Sequence, residues 1–153
     1  MKIIKEVDEN GNEKITKINN DGTTVVESKD ENGRPVTTIT NKDGVKIEKT
    51  IDDEGKPVVK RTEKTGESIV RKEDDDGLPF FEEYDKNGKE VKKKTGKEID
   101  EDGNLIEKIK DKDGNELIVK KDPAGNTITI KTDKDGNEVT KITSKIWIIP
   151  KIR

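Results

Sequence analysis

The chain has 153 residues, of which only 25% are apolar and 44% are charged, so a large dry core is excluded. The 32 Lys and Arg nearly balance the 35 Asp and Glu, giving a net charge of −3, and no basic surface is available to gather nucleic acid or an anionic membrane. Cysteine and histidine are absent, which excludes disulfides, Cys/His zinc sites and the side chain that most often acts as a general base.

The first segment in chain order is residues 1–7, where Ile3, Ile4 and Val7 predict an apolar terminal strand. This segment is too short and too charged for a signal peptide. No part of the chain approaches the roughly 20 apolar residues of a membrane helix. We therefore expect a soluble, cytoplasmic protein.

A repeat of 11 residues follows, marked by glycine, with one longer step of 15 residues between Gly88 and Gly103. Three positions before the glycine stands Asp or Asn in 11 of 12 repeats, and Glu63 is the exception. An Asp or Asn there accepts a backbone hydrogen bond in a type I turn, and the glycine supplies the left-handed residue of a G1 bulge. The repeats therefore predict three-residue hairpin loops. A two-residue type I′ turn is the alternative, but Pro123 cannot adopt the positive φ that it requires.

The segments between the turns are rich in Val, Ile and Thr, as in residues 23–29 and 126–132, and predict strands. No 3.6-residue apolar stripe survives turns this frequent, so we expect almost no helix. The predicted fold is all-β: an antiparallel up-and-down meander of about 12–13 strands in an open twisted or coiled sheet. A closed barrel or a two-layer sheet is the alternative, although identical turns do not supply the shear that closure needs.

Pairing across these turns assigns every strand residue to a face, because partners in an antiparallel ladder share one. Lys120 is expected opposite Ile128, and Ile118 opposite Ile130. Neither face is predicted to be purely apolar. One face collects Ile15, Val25, Ile39, Ile47, Val59, Ile69 and Phe81, and the other Ile18, Val26, Val36, Val58, Val70, Phe80 and Tyr84.

The repeat is irregular at residues 89–100, which contain four extra residues and Gly96. Because open sheets of this many strands usually curl or split, we predict a curl, kink or split here, through a bulge at Gly96 or an additional tight turn at residues 93–96. Residues 144–153 are the most apolar stretch and predict a second terminal strand, with Pro150 at an edge or strand end. The whole chain, residues 1–153, is expected to form one hairpin-repeat domain.

Two groups of apolar side chains are candidates for an interaction surface. Most of the aromatic residues lie close together in one strand, and the C-terminal segment carries the rest of the group; the candidates are Phe80, Phe81, Tyr84, Trp147, Ile148 and Ile149. Local packing in the strand and capping of the sheet are the simpler interpretations.

The Asp-Lys-Asp-Gly sequence at residues 111–114 and 133–136 resembles part of a calcium loop. With glycine as the sixth position, however, the first ligand is Ile109 or Lys131 and the twelfth is Lys120 or Ile142, so the end ligands are missing. We predict turn chemistry and no metal site. No serine has a histidine to activate it, and carboxylates on exposed turns lack the burial that raises a pKa for acid catalysis.

Residues 84–89 (Tyr-Asp-Lys-Asn-Gly-Lys) and 122–127 (Asp-Pro-Ala-Gly-Asn-Thr) give the chain a resemblance to the YD or RHS repeat. The Lys, Glu and Thr-rich strands are also similar to the single-layer sheet of a bacterial outer-surface lipoprotein. Both resemblances imply hairpin sheets, and neither carries a catalytic residue.

Fixed turn chemistry, charged strands and a near-invariant repeat length favour a designed or heavily idealised sheet. We expect a structural scaffold that is not an enzyme, requires no cofactor or partner, and associates with itself, if at all, through edge strands. The alternative is a peptide- or protein-binding module that uses a sheet face or edge.

Overall fold

The computed structural model describes residues 1–92 and 96–143 of the chain. Within these residues there are thirteen short strands joined by tight turns and no helix. The strands are β1 (Lys2–Val7), β2 (Glu13–Ile18), β3 (Thr24–Lys29), β4 (Pro35–Thr40), β5 (Lys46–Ile51), β6 (Pro57–Thr62), β7 (Ser68–Glu73), β8 (Pro79–Tyr84), β9 (Lys97–Ile99), β10 (Leu105–Lys110), β11 (Glu116–Lys121), β12 (Thr127–Thr132) and β13 (Glu138–Thr143).

The strands form two antiparallel sheets in which neighbours in sequence are neighbours in space. Strands β1 to β8 form the first sheet, and β9 to β13 the second. The prediction of an all-β antiparallel meander of about 12–13 strands is confirmed. The order in each sheet is linear, so β1 and β8 are the end strands of the first sheet and β9 and β13 those of the second.

The chain divides into two compact units, Met1–Lys92 and Lys93–Arg153. The first contains the eight-stranded sheet and the second the five-stranded sheet. A single domain over residues 1–153 stays a prediction. The expected terminal strand at residues 1–7 forms as β1, whereas the one at residues 144–153 lies outside the described residues.

The division between the sheets falls at the one irregular repeat, as the predicted split required. After β8 the chain turns and pairs back only briefly: Glu90 bridges to Tyr84, and the Val91 N–H donates to the Glu83 carbonyl at 2.8 Å. Strand β9 then pairs with β10 alone. Whether a bulge or an extra turn ends the first sheet depends on residues 93–95, which lie outside the described ranges.

All twelve turns have the predicted backbone. In each one the glycine N–H donates to the carbonyl oxygen of the residue three before it, at 2.9 to 3.1 Å. The glycines have φ between +80° and +102°, and no other described residue has a positive φ. A type I′ turn needs positive φ at both central residues, so the type I turn with a G1 bulge is confirmed and the type I′ alternative is excluded.

The side chain at the first turn position closes most of these loops a second time. In the first turn, Asp8 Oδ1 accepts the N–H of Asn10 at 2.9 Å and that of Asn12 at 2.8 Å. Asn41 Oδ1 accepts two turn amides in the same way, both at 3.0 Å. Only a side-chain oxygen one carbon from Cβ has this reach, which explains why Asp and Asn fill the position.

The strand register confirms the predicted faces. Lys120 lies opposite Ile128 and Ile118 opposite Ile130. In the first sheet, one face carries Ile47 and the other Val70, and we name these the Ile47 face and the Val70 face. The seven residues predicted for each face lie there by register.

The core of the first sheet is small and lies in β5 to β7. Ile47 is 1% exposed and Val59 4% on the Ile47 face, while Val70 is buried on the opposite face. Three polar residues are as deeply buried as these: Arg61, Ser68 and Glu83. In the second sheet the buried apolar residues are Ile99 and Leu105.

Proline marks a longer period in the first sheet. Pro35, Pro57 and Pro79 open β4, β6 and β8, and they are 22 residues apart. Proline is tolerated at the first residue of a strand because the missing N–H is not needed there. The structural unit of this sheet is therefore a pair of strands, which also returns the chain to the same end and the same face.

Candidate interaction surface

The aromatic candidates lie on β8, at the end of the first sheet. Phe81 is opposite Arg71 on the Ile47 face, whereas Phe80 is opposite Lys72 and Tyr84 opposite Ser68 on the Val70 face. Phe80 is 42% exposed, while Phe81 and Tyr84 are half-buried. The register therefore brings Phe80 and Tyr84 to one face and separates them from Phe81, so the three rings do not form one platform.

Tyr84 belongs to a polar cluster on the Val70 face. Its hydroxyl donates to Glu82 Oε1 at 2.9 Å, and the same oxygen lies 2.9 Å from Lys72 Nζ. The hydrogen bond to Glu82 raises the pKa of the Tyr84 hydroxyl, because ionisation would set two negative charges against each other. The hydroxyl is thus a fixed donor within the strand, and the ring edge is what remains for a partner.

The outer edge of β8 is paired at one end only. Among the described residues, Glu90 and Val91 cover the part of the edge next to Tyr84 and Glu83. The other part of the strand, from Pro79 to Glu82, pairs with β7 alone. Leu78, just before the strand, is 61% exposed, so apolar side chains stand beside the open part of the edge.

The other candidates cannot be compared with the structure. Trp147, Ile148 and Ile149 lie outside the described residues. The interaction surface assigned to the six residues from the sequence therefore stays a prediction.

The two ends of the first sheet carry different charges, which the sequence analysis missed. Successive turns alternate between ends. The four turns at the end we call the acidic end span residues 8–11, 30–33, 52–55 and 74–77 and hold ten carboxylates and no cation. The four at the opposite end, the lysine end, span residues 19–22, 41–44, 63–66 and 85–88 and hold four carboxylates and three lysines. Sorting the turns by parity is enough to find this asymmetry.

Contacts between neighbouring turns also differ at the two ends. At the acidic end, the Arg34 guanidinium donates to Asp53, and Lys56 Nζ lies 3.1 Å from Asp75 Oδ1. At the lysine end the turns touch directly. A Cβ placed on Gly22 would lie 3.1 Å from the Cβ of Lys42, whereas one on Gly33 at the acidic end would meet nothing within 4 Å.

The turn carboxylates that resembled a calcium loop are engaged by the turn itself. Asp111 Oδ1 accepts the N–H of Asp113 and of Asn115, both at 2.9 Å, and Oδ2 accepts Asn115 Nδ2 at 3.3 Å and lies 3.3 Å from Lys131 Nζ. The backbone N–H of Asn115 is the main cause that lowers the pKa of Asp111. Asp133 has the same arrangement around Asn137 and a lowered pKa.

These carboxylates are chemically unlike a general acid, which needs a pKa raised toward neutrality. Within residues 1–92 and 96–143, no group of three or more Asp or Glu side chains is arranged to hold a metal ion. What the turn carboxylates do is accept hydrogen bonds that close loops.

Glu63, the exception in the repeat, has a structural reason. Its side chain turns away from its own loop, and Oε2 accepts a hydrogen bond from Arg61 Nε at 2.6 Å. Arg61 is 4% exposed, and a buried guanidinium requires a carboxylate within reach. The loop keeps its backbone bonds without the side-chain closure, with the Gly66 N–H at 2.9 Å from the Glu63 carbonyl.

Comparison with protein-family models and with curated proteins finds no match to this chain. The part of the chain that the structure describes has no helix of the length and apolarity needed to cross a membrane.

Proposed function

We propose that this protein is a soluble structural scaffold without catalytic activity, a designed or heavily idealised hairpin-repeat sheet whose use is its shape. The observation that carries the proposal is the uniformity of the turns, since all twelve share one backbone geometry and one interstrand register rule. Natural repeats vary in loop length where loops bind ligands. Here the turn side chains close the loops, which leaves shape as the property that the sequence maintains.

A second candidate function is a peptide- or protein-binding module of the YD or RHS type. The observation that favours it is the open part of the β8 edge, with Phe80 at 42% exposure beside it. An extended segment can add to such an edge through main-chain hydrogen bonds, and alternate side chains then set the specificity.

Light scattering after size exclusion, over a range of protein concentrations, separates the two. A scaffold gives the mass of one chain at all concentrations and unfolds cooperatively without a ligand. Association that grows with concentration and disappears in Phe80→Lys favours the edge as a binding site. Phe81→Lys, on the opposite face of the same strand, is the matched control for a nonspecific effect of the charge.

A further inference from the structure

Three turns contain asparagine followed by glycine, at Asn10, Asn32 and Asn87. All three asparagines are exposed and occupy the third turn position. We propose that Asn10 and Asn87 are sites of spontaneous deamidation in the folded protein, and that the sheet protects Asn32. The sites take no enzyme or cofactor, and water is the only co-reactant.

The reaction joins the asparagine side chain to the next backbone amide. The glycine nitrogen, after losing its proton, attacks the side-chain amide carbon of the asparagine, and ammonia leaves. Water then opens the resulting succinimide ring at either carbonyl, giving aspartate or isoaspartate. Glycine favours the attack because it has no side chain to block the approach of its nitrogen.

The native turn holds both reacting groups out of position. In each of the three turns, the asparagine N–H donates to Oδ1 of the first turn residue at 2.9 Å. The glycine N–H, which must be freed, donates to the carbonyl of that residue at 2.9 to 3.1 Å. Reaction in the folded protein therefore requires the turn to open, and its rate follows the population of the open turn.

The turn at Asn32 is held on both sides. It joins β3 to β4, and each of these strands has a further neighbour in the sheet. The next residue after the glycine, Arg34, donates its N–H to Asp30 Oδ1 at 3.0 Å and its guanidinium to Asp53 of the next turn at that end. Opening this turn breaks contacts to three strands and to a second loop.

The other two turns lie at the ends of the sheet. Asn10 follows β1, which pairs only with β2 and has a single half-buried side chain, with the rest exposed. Asn87 follows β8, where the returning chain contributes the Glu90 bridge and the Val91 hydrogen bond. Each of these turns opens with the loss of one strand pairing or less, so both open more often than the turn at Asn32.

Mass spectrometry of the folded chain during incubation at mildly alkaline pH tests the proposal. We expect aspartate and isoaspartate to accumulate at Asn10 and Asn87 at least about tenfold faster than at Asn32, which corresponds to about 1.4 kcal/mol of additional opening free energy. In urea the three sites should react at similar rates. The asparagines followed by larger residues, at 104, 115, 126 and 137, serve as unreactive controls within the same molecule.

Asp30→Ala separates protection by the turn from any effect of local sequence. It removes the oxygen that holds the Asn32 and Arg34 amides, so Asn32 should react several-fold faster while Asn10 and Asn87 keep their rates. Equal rates at all three sites in the folded chain, or an unchanged Asn32 rate in this variant, would overturn the proposal. If all three sites accelerate together, the variant has unfolded, and the comparison of folded with urea-treated wild-type chain decides instead.

Discussion

The acidic end and the lysine end of the first sheet are built from the same turn and are held together differently. At the lysine end, neighbouring loops pack against each other, with a Cβ on Gly22 only 3.1 Å from Lys42. At the acidic end the loops stand apart and are linked by Arg34 and Lys56, which reach carboxylates of the next loop. One backbone motif therefore tolerates both close packing and charge-linked spacing, and the side chain at the second turn position differs between them.

The largest effect is expected at Glu63, on the lysine end. Glu63→Gln removes the charge beside Arg61, which is 4% exposed, and a buried guanidinium that loses its carboxylate costs about 2 kcal/mol. Glu31→Gln, an exposed loop residue at the acidic end, should change the free energy of unfolding by less than about 0.5 kcal/mol. Urea denaturation of both variants measures the difference, and equal values would mean that the pair at Arg61 does not stabilise the sheet.

Paired glycine substitutions compare the packing of the two ends directly. Gly33→Ala places a side chain at φ +80° with open space around it, so only the backbone cost of about 1 kcal/mol applies. Gly22→Ala, at φ +88°, also brings its Cβ to 3.1 Å from Lys42 and should cost about 1 kcal/mol more. Thermal and urea unfolding give both values. A smaller loss at Gly22 than at Gly33 would contradict the close packing at the lysine end.

Acid should weaken both ends through the turn aspartates. The pKa of Asp52 at the acidic end is lowered first by the Lys56 backbone N–H, and that of Asp21 at the lysine end by the Thr23 backbone N–H. Because the folded pKa lies below the unfolded value of about 3.9, their contribution is present above that pH and is lost as the pH falls through the folded pKa.

Asp52→Asn provides the control, because Asn41 already closes a loop with an amide oxygen. The variant should lose less stability than wild type between pH 5 and pH 2, about the range in which turn aspartates titrate. An identical pH dependence in the two proteins would show that Asp52 contributes nothing through its charge.

The smallest effect is expected at Lys56. Its Nζ lies 3.1 Å from both Asp75 and Glu54, and the hydrogen bond from Asp75 is the main cause that raises the pKa of Lys56. Exposed pairs contribute little and are screened by salt. Lys56→Gln should lower the unfolding midpoint slightly in low salt and leave it unchanged in 1 M salt, a level chosen because the screening length there is about 3 Å.

The local rules were readable from the sequence because they involve residues close in the chain. Glycine spacing and Asp at the first turn position gave the turn type, the register and the faces, down to Lys120 opposite Ile128. The split after β8 followed from one irregular repeat. Burial was harder to predict, because it depends on how strongly the sheet twists, and the deep positions of Arg61, Ser68 and Glu83 are set by that global shape.

The exception at Glu63 shows the same limit at one residue. Its departure from the repeat is visible in the sequence, but its partner Arg61 is two residues away in a strand and is identified only when the strand is known to be buried there. The candidate surface is similar: the register could separate Phe80 from Phe81, whereas the extent of pairing at the outer edge of β8 could not be read from spacing.

The most direct test of the central claim, that a pair of strands is the structural unit, is to duplicate residues 35–56. The junction then repeats the natural Lys56–Pro57 step as Lys56 followed by a second Pro35, and every later turn keeps its end and every later strand its face. Duplicating residues 46–56 alone is the control, because one added strand moves Val59 and Ile69 off the face that carries Ile47. The account predicts that the first variant keeps the β-sheet circular dichroism per residue and an unfolding midpoint at least equal to wild type, while the control has a lower midpoint. A midpoint lowered equally in both would contradict it.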